Sequence, residues 1–193
     1  LLTSSANIYG NQIEDTLSEE IIPCPTNDYA VSKLAMEKMA QLWVDRLPLF
    51  IVRPFNYTGL GQKQQFLIPK IIAHFRKQKS TIELGCLDVW REFGDVRAVV
   101  DIYRRLVELC PLGNTLNICT GQTHSLREVI SLCEKITGHS IKIQINPDFV
   151  RSNEVLLLRS SNNRLKKIIG EWKSFCLKET VTWMLDNEES SLA

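Results

Sequence analysis

Two side chains in the segment Asp28-Tyr29-Ala30-Val31-Ser32-Lys33 are able to move a proton together. A phenol and an ammonium four residues apart share one face of a helix, so Tyr29 and Lys33 can enter the same pocket. A free tyrosine titrates near pH ~10, too high for acid–base work at neutral pH, but a neighbouring cation favours the phenolate. Tyr29 is therefore a candidate proton shuttle, with Lys33 as the group that tunes it. The pair by itself is thin. In a chain with four tyrosines, one Tyr-x-x-x-Lys arises by accident at odds of about one in four.

The surrounding pattern predicts the elements that would position this pair. Thr26, Asn27 and Asp28 are N-cap types ahead of a helical pattern from Tyr29 to about Arg46, with Leu34, Met36, Met39, Leu42 and Trp43 as its apolar positions. Upstream, the first residues read as the end of a buried strand that runs into Ser4-Ser5-Ala6-Asn7-Ile8-Tyr9-Gly10 and a polar loop. That is where open α/β sheets place ligands. Downstream, Leu49-Phe50-Ile51-Val52 is a continuous apolar run suited to a strand buried on both faces, and a glycine-bearing loop from Arg53 to Gln62 follows it. Strand, loop, helix and strand in this order predict an α/β protein with a doubly wound parallel sheet.

Further helices are expected from Phe66 to about Lys77 and from Val96 to Cys110 behind an Asp95 cap. Others run from a Ser125–Glu128 capping box to Thr137, and near Asn163–Ile169 and Leu177–Asp186. Strands are expected at Thr81–Leu84, at Thr115–Cys119 and, half exposed, at Ile141–Ile145. The tail from Asn187 reads as disordered.

Composition excludes several classes of function. With 193 residues, 44% of them hydrophobic, the chain can bury a full core. A formal net charge of +1, with both signs interspersed, provides no basic stripe, so neither nucleic acid nor a membrane surface is an expected partner. No apolar run reaches the roughly 18 residues of a membrane span, and no signal-peptide order is present. The six cysteines are scattered singly, which predicts reduced thiols in a cytoplasmic protein and no metal site. His74, His124 and His139 lie far apart and read as surface or structural histidines. Arg91, in the charge-dense run Asp88 to Asp95, is shaped to hold a phosphate bidentately, with Glu92 or Asp95 as competing partners. The first strand needs neighbours to be stable, so the chain is expected to be the C-terminal part of a longer protein.

Taken together, these residues resemble the extended short-chain dehydrogenase/reductase superfamily of nucleotide-sugar enzymes, the NAD-dependent epimerases and dehydratases. Ser5-Ala-Asn-Ile-Tyr-Gly is similar to the strand-end motif that carries the catalytic Ser or Thr. Tyr29 and Lys33 match the Tyr-x-x-x-Lys pair, and Arg53-Pro-Phe-Asn56 resembles the loop after the next strand. The resemblance implies Ser5, Tyr29 and Lys33 as catalytic residues. It places NADP or NAD beside Tyr29, Lys33, Pro54 and Phe55.

Three stretches, Phe66 to Lys70, Leu84 to Val96 and Arg151 to Val155, are similar to segments that hold nucleotide and sugar in enzymes acting on GDP-deoxyhexoses. They imply Asn7, Asn56, Lys70, Leu84, Arg91, Arg151 and Glu154 as substrate-binding residues. By the same resemblance, residues 1–57 and about 95–120 belong to the remaining part of a Rossmann-type dinucleotide-binding domain. Residues of about 58–94 and 121–193 would then form a small α/β nucleotide-sugar-binding domain. A homodimer through the helix carrying Tyr29 is also implied.

The departures from the family pattern narrow the activity. Dehydratases of this group carry a Glu base two residues after the catalytic Ser or Thr, where this chain has Asn7, and an amide cannot act as that base. Reduction of a GDP-linked 4-keto-6-deoxyhexose needs no such base and is the activity implied. An epimerase, a dehydratase, or a catalytically silent fragment that binds nucleotide sugar are the alternatives. Leu60, Cys86, Ala98 and Ser152 stand where Pro, Asn, Asp and Pro are usual. The glycine-rich turn Gly-x-x-Gly-x-x-Gly that seats the dinucleotide pyrophosphate does not occur in the sequence.

Overall fold

The computed structural model describes residues 1–12, 16–149 and 157–187. In chain order, β1 (Leu2–Thr3) leads into a 3₁₀ turn over Ala6–Tyr9, followed by α1 (Asp28–Gln41), β2 (Ile51–Pro54), β3 (Tyr57–Thr58) and α2 (Leu67–Arg76). Then come β4 (Thr81–Leu84), β5 (Trp90–Arg91), β6 (Gly94–Asp95), α3 (Val96–Leu109), β7 (Thr115–Ile118), β8 (His124–Ser125) and α4 (Leu126–Thr137). β9 (Lys142–Ile145), a 3₁₀ turn over Pro147–Phe149, β10 (Leu157–Leu158), α5 (Asn163–Ile169) and α6 (Leu177–Asp186) complete the described chain.

β1, β2 and β7 form a parallel sheet in that order, with Leu2 paired to Ile51 and Val52 to Leu116. The central strand is buried on both faces, as its unbroken apolar run requires. On one face, Phe50, Val52, Leu116 and Ile118 pack with Ile102 and Leu106 of α3 and Leu165 of α5. A smaller cluster, Ala6, Tyr9, Leu17, Phe55 and Cys119, gathers at the strand ends.

The second and larger core joins α2, α4 and α6 to a parallel pair of strands, β4 and β9, around Ile71, Phe75, Ile82, Val129 and Val181. α2 is amphipathic, with Ile68, Ile71, Ile72 and Phe75 buried, and Pro69 sits in its first turn, where a missing N–H costs little. The capping box forms as expected: Ser125 Oγ accepts from the Glu128 amide at 3.2 Å, and Glu128 Oε2 accepts from the Ser125 amide at 2.8 Å. The parallel α/β class read from the sequence is the one observed.

α1 departs from its expected form in two ways. It ends at Gln41, and residues 42 to 47 continue as tight turns, with Trp43 N bonded to Ala40 O and Arg46 N to Trp43 O, both at 2.9 Å. Pro48 disfavours a helical conformation for Leu47, so the run of turns stops there. Its inward face also differs. Ala30, Glu37 and Ala40 are buried, whereas Met39 and Leu42 are 65% and 80% exposed. Small residues bring this helix close to its neighbours, and the one large buried side chain on it is a carboxylate.

The strand end at Ser5 also differs from a plain loop, because it winds into the 3₁₀ turn and buries Ile8 and Tyr9. All six cysteines are free, with Cys119 and Cys133 buried. Among the described residues, no helix is long and apolar enough to cross a membrane. The expected tail beyond Asn187 and the Arg151–Glu154 stretch lie outside the described residues.

Candidate active site

Ser5 sits where β1 ends and caps the 3₁₀ turn, its Oγ accepting from the Asn7 amide at 3.2 Å. That bond uses a lone pair and leaves the hydroxyl proton available to a ligand. α1 starts behind the Asn27 cap, whose Oδ1 accepts from the Ala30 amide at 2.9 Å. Tyr29 is thereby held in the first turn, half exposed, and its hydroxyl meets no hydrogen-bond partner among the described residues. Lys33 follows one turn on, with Nζ donating to Thr3 O at 2.9 Å and lying 5.8 Å from the centre of the Tyr29 ring. The bond to Thr3 ties the helix to the end of β1, the strand that leads to Ser5.

These groups form one side of a cleft of about 1020 Å³. Ser5, Asn7, Tyr29, Lys33, Pro54, Phe55, Asn56, Lys70, Leu84 and Arg91 all line it. Two further residues implied by the resemblance, Arg151 and Glu154, lie outside the described residues. Pro54 closes β2 opposite Ile118, and Phe55 is buried behind it. On the facing side, Lys70 Nζ donates to Glu83 O at 2.6 Å and lies 4.5 Å from the centre of the Phe149 ring. Leu84 ends β4, and Arg91 on β5 donates from Nη1 to Trp90 O at 3.0 Å. The cleft thus brings a hydroxyl, a phenol and Lys33 to one wall and Lys70 and Arg91 to the other. That distribution suits an anionic substrate carrying a reducible or oxidisable carbon.

The two carboxylates that stood as competitors for Arg91 are engaged by other groups. Glu92 is 1% exposed and accepts from Thr120 N at 2.6 Å, Thr120 Oγ1 at 2.9 Å, Gly121 N at 3.1 Å and Ser160 N at 2.9 Å. Burial pushes its carboxyl above the usual range, and the four donors only partly offset that. Asp95 bonds Arg97 through both oxygens and accepts from Thr180 Oγ1 at 2.7 Å. Burial works against its ionisation, but Arg97 and Thr180 outweigh it and hold the carboxyl below its ordinary value.

Sequence reasoning missed Asp148 and Phe149, which line the facing wall because β9 pairs with β4 and delivers the turn after it. A long-range parallel pairing leaves no local signal. It also missed a buried polar group beneath the catalytic wall, made of Arg53, Glu37, Tyr9 and Asn117. Here a signal was present, since Tyr29, Lys33 and Glu37 continue one stripe at four-residue spacing.

Comparison with known proteins shows the family. A family model described as GDP-mannose 4,6 dehydratase matches residues 1–184. The chain belongs to that family. It is thereby a member of the extended short-chain dehydrogenases/reductases, whose homologues include NAD(P)-dependent nucleotide-sugar oxidoreductases.

Within the family, it is 38% identical over 170 residues to GDP-6-deoxy-D-talose 4-dehydrogenase of Aggregatibacter actinomycetemcomitans, covering 88% of this chain and 58% of that protein. It is 34% identical to GDP-6-deoxy-D-mannose reductase of Pseudomonas aeruginosa, covering 98% of this chain and 66% of the other. A Burkholderia cenocepacia J2315 protein provisionally described as an epimerase superposes with a TM-score of 0.92 at 50% identity, over 96% of this chain and 61% of that one. RMD of Pseudomonas aeruginosa, solved with NADPH, superposes with a TM-score of 0.85 at 35% identity, over 95% and 64%. The chain therefore spans about three fifths of the length of the relatives it matches.

Proposed function

We propose that this chain supplies the catalytic and sugar-binding part of a nicotinamide-dependent reductase acting on a GDP-linked 4-keto-6-deoxyhexose. The observation that carries the reading is the cleft itself, in which Ser5, Tyr29 and Lys33 face Lys70 and Arg91. A partner-free phenol half exposed beside a lysine, at the open end of a parallel sheet, fits the reactive end of a nicotinamide cofactor, NADP or NAD. When bound, that cofactor supplies the hydride that reduces the C4 carbonyl carbon.

The chain's own groups do the rest. Ser5 donates a hydrogen bond to the carbonyl oxygen, Tyr29 gives its proton to the same oxygen as negative charge develops there, and Lys33 stabilises the phenolate left behind. Lys70 and Arg91 hold the diphosphate, and Asn7 and Asn56 contact the sugar. Leu84 borders the nucleotide, with Arg151 and Glu154 expected to join from the adjoining stretch. Asn7 has no lone pair basic enough to remove a carbon-bound proton, which argues against dehydration. The homodimer through α1 belongs to this proposal as well.

Tyr29→Phe should lower turnover at least ~10²-fold, the scale of a lost general acid, while calorimetry finds nucleotide-sugar binding intact. Retention of most turnover would sink the assignment. Titration with NADPH and with GDP separates an enzyme, which binds both, from a binding module, which takes only the second.

A second reading has a specific basis in the 38% identity to the talose enzyme. 6-Deoxy-talose and 6-deoxy-mannose differ only in configuration at C4, so the same residues serve both, with hydride arriving on opposite faces of the ring. Proton NMR of the reduced sugar distinguishes them.

A further inference from the structure

We propose that the buried ion pair Arg53–Glu37, together with the Tyr9 hydroxyl, is the positioning device that fixes Tyr29 and Lys33 relative to Ser5. The inference rests on the catalytic reading above and adds residues that touch neither substrate nor cofactor.

Arg53 lies on the central strand β2 and is 6% exposed. Its Nε and Nη2 donate to the two oxygens of Glu37 at 3.0 and 2.7 Å, a bidentate pair with Glu37 2% exposed. From the other arm of the guanidinium, Nη1 donates to the Tyr9 hydroxyl at 2.9 Å, and that hydroxyl donates in turn to Asn117 Oδ1 at 2.7 Å. One planar group thus grips two elements at once. Glu37 stands on α1 one turn beyond Lys33 and two beyond Tyr29, and Tyr9 ends the 3₁₀ turn that Ser5 caps. Bonds from Glu37 and Tyr9 overcome the burial that would otherwise lower the Arg53 pKa, so the cation persists.

The need for such a device follows from the packing of α1. Its buried residues are Ala30, Glu37 and Ala40, while Met39 and Leu42 point outward. Two alanines resist sliding and rotation weakly, because they offer little surface to interdigitate. A buried ion pair adds little net stability over an apolar pair of similar volume. What it does add is a fixed distance and direction between β2 and α1. A displacement near 1 Å in a reacting group is enough to cost about 10²-fold in rate.

The test compares wild type, R53K and the double variant R53M/E37L in the nicotinamide-dependent reduction of the nucleotide-sugar ketone, with thermal melting and calorimetric nucleotide-sugar binding measured in parallel. The double variant replaces both charges by apolar groups of similar size and is expected to fold. Its kcat should fall by about 10²-fold with KM and calorimetric affinity unchanged, and R53K, which keeps the charge but loses the fork, should fall between the two. A folded double variant with wild-type kcat overturns the inference. So does a loss of rate that appears only together with a loss of folded protein or of nucleotide-sugar affinity, because that pattern marks a structural role. A wild-type protein that turns over no such ketone removes the catalytic reading and this inference together. A wild type that turns over beside an equally active double variant removes this inference alone.

Discussion

Two glutamates, Glu37 and Glu92, are buried in this molecule, and they are stabilised by different means. Beneath the catalytic wall, Glu37 meets a cation, Arg53, across 16 positions of sequence. Next to Arg91, and bonded to the loop that follows β7, Glu92 accepts three backbone N–H groups and one hydroxyl from Thr120, Gly121 and Ser160. The first arrangement fixes a helix to a strand through side chains with defined geometry. The second stitches loops together, because its donors are the backbone groups that loops leave unpaired. Under the proposed function, proton transfer from Tyr29 depends on the first kind of control, since small displacements of a reacting group change rate steeply. Binding of a diphosphate by Lys70 and Arg91 would tolerate looser control, since cations act over longer distances.

One substitution at each glutamate's bonding puts this difference to measurement. Arg53→Met leaves Glu37 buried without its cationic partner, and urea unfolding should report a loss of about 3–5 kcal/mol. A loss below that of Glu92→Gln would contradict the contrast. Glu92→Gln keeps the shape but turns one acceptor into an NH₂ group facing N–H donors, for an expected loss of about 1–3 kcal/mol.

The same variant carries a pH signature. Burial raises the Glu92 pKa, so the folded protein holds that proton to higher pH than the unfolded chain does. Its contribution to stability is fully present below the unfolded glutamate pKa and is lost as pH rises through the folded one. Melting temperature followed upward from about pH 4 should therefore fall less in Glu92→Gln than in wild type. Parallel curves would show that Glu92 titrates as it does in the unfolded chain.

Much of this molecule was legible in its sequence because local signals coincided with tertiary demands. The capping box at Ser125, the apolar run Phe50 to Val52 and the amphipathic spacing of α2 each specify an element without outside help. Of the residues implied for the cleft, Tyr29 and Lys33 were legible from their helical spacing and Arg91 from the shape of its guanidinium; the others were legible only through the family resemblance. The failures are equally physical. The inward face of α1 was only partly legible: of its apolar positions Leu34 and Met36 are partly buried but Met39 and Leu42 are exposed, and nothing local marks Glu37 as buried. Its partner, Arg53, stands on another element. Asp148 and Phe149 reach the cleft only through the β4–β9 pairing, which joins positions about 60 residues apart in the chain.

The smallest of these perturbations tests whether the two walls act independently. Gly85 follows β4 on the facing wall, and a Cβ built there would stand 2.5 Å from Phe149 O and 3.0 Å from its carbonyl carbon. Gly85→Ala must therefore push the Pro147–Phe149 turn outward, and with it the ring against which Lys70 rests at 4.5 Å. Overpacking of this kind costs about 1 kcal/mol where the displaced segment can move, and this turn is exposed along its length. Among the described residues no hydrogen bond or ion pair joins that turn to Ser5, Tyr29 or Lys33, so these three should keep their places. The expected result is a nucleotide-sugar affinity several-fold weaker, with kcat at saturation unchanged. That is the reverse of the pattern expected for R53M/E37L. A fall in kcat at constant KM in Gly85→Ala would mean that the two walls move as one body, and the positioning role proposed for Arg53 and Glu37 would then lose its specificity.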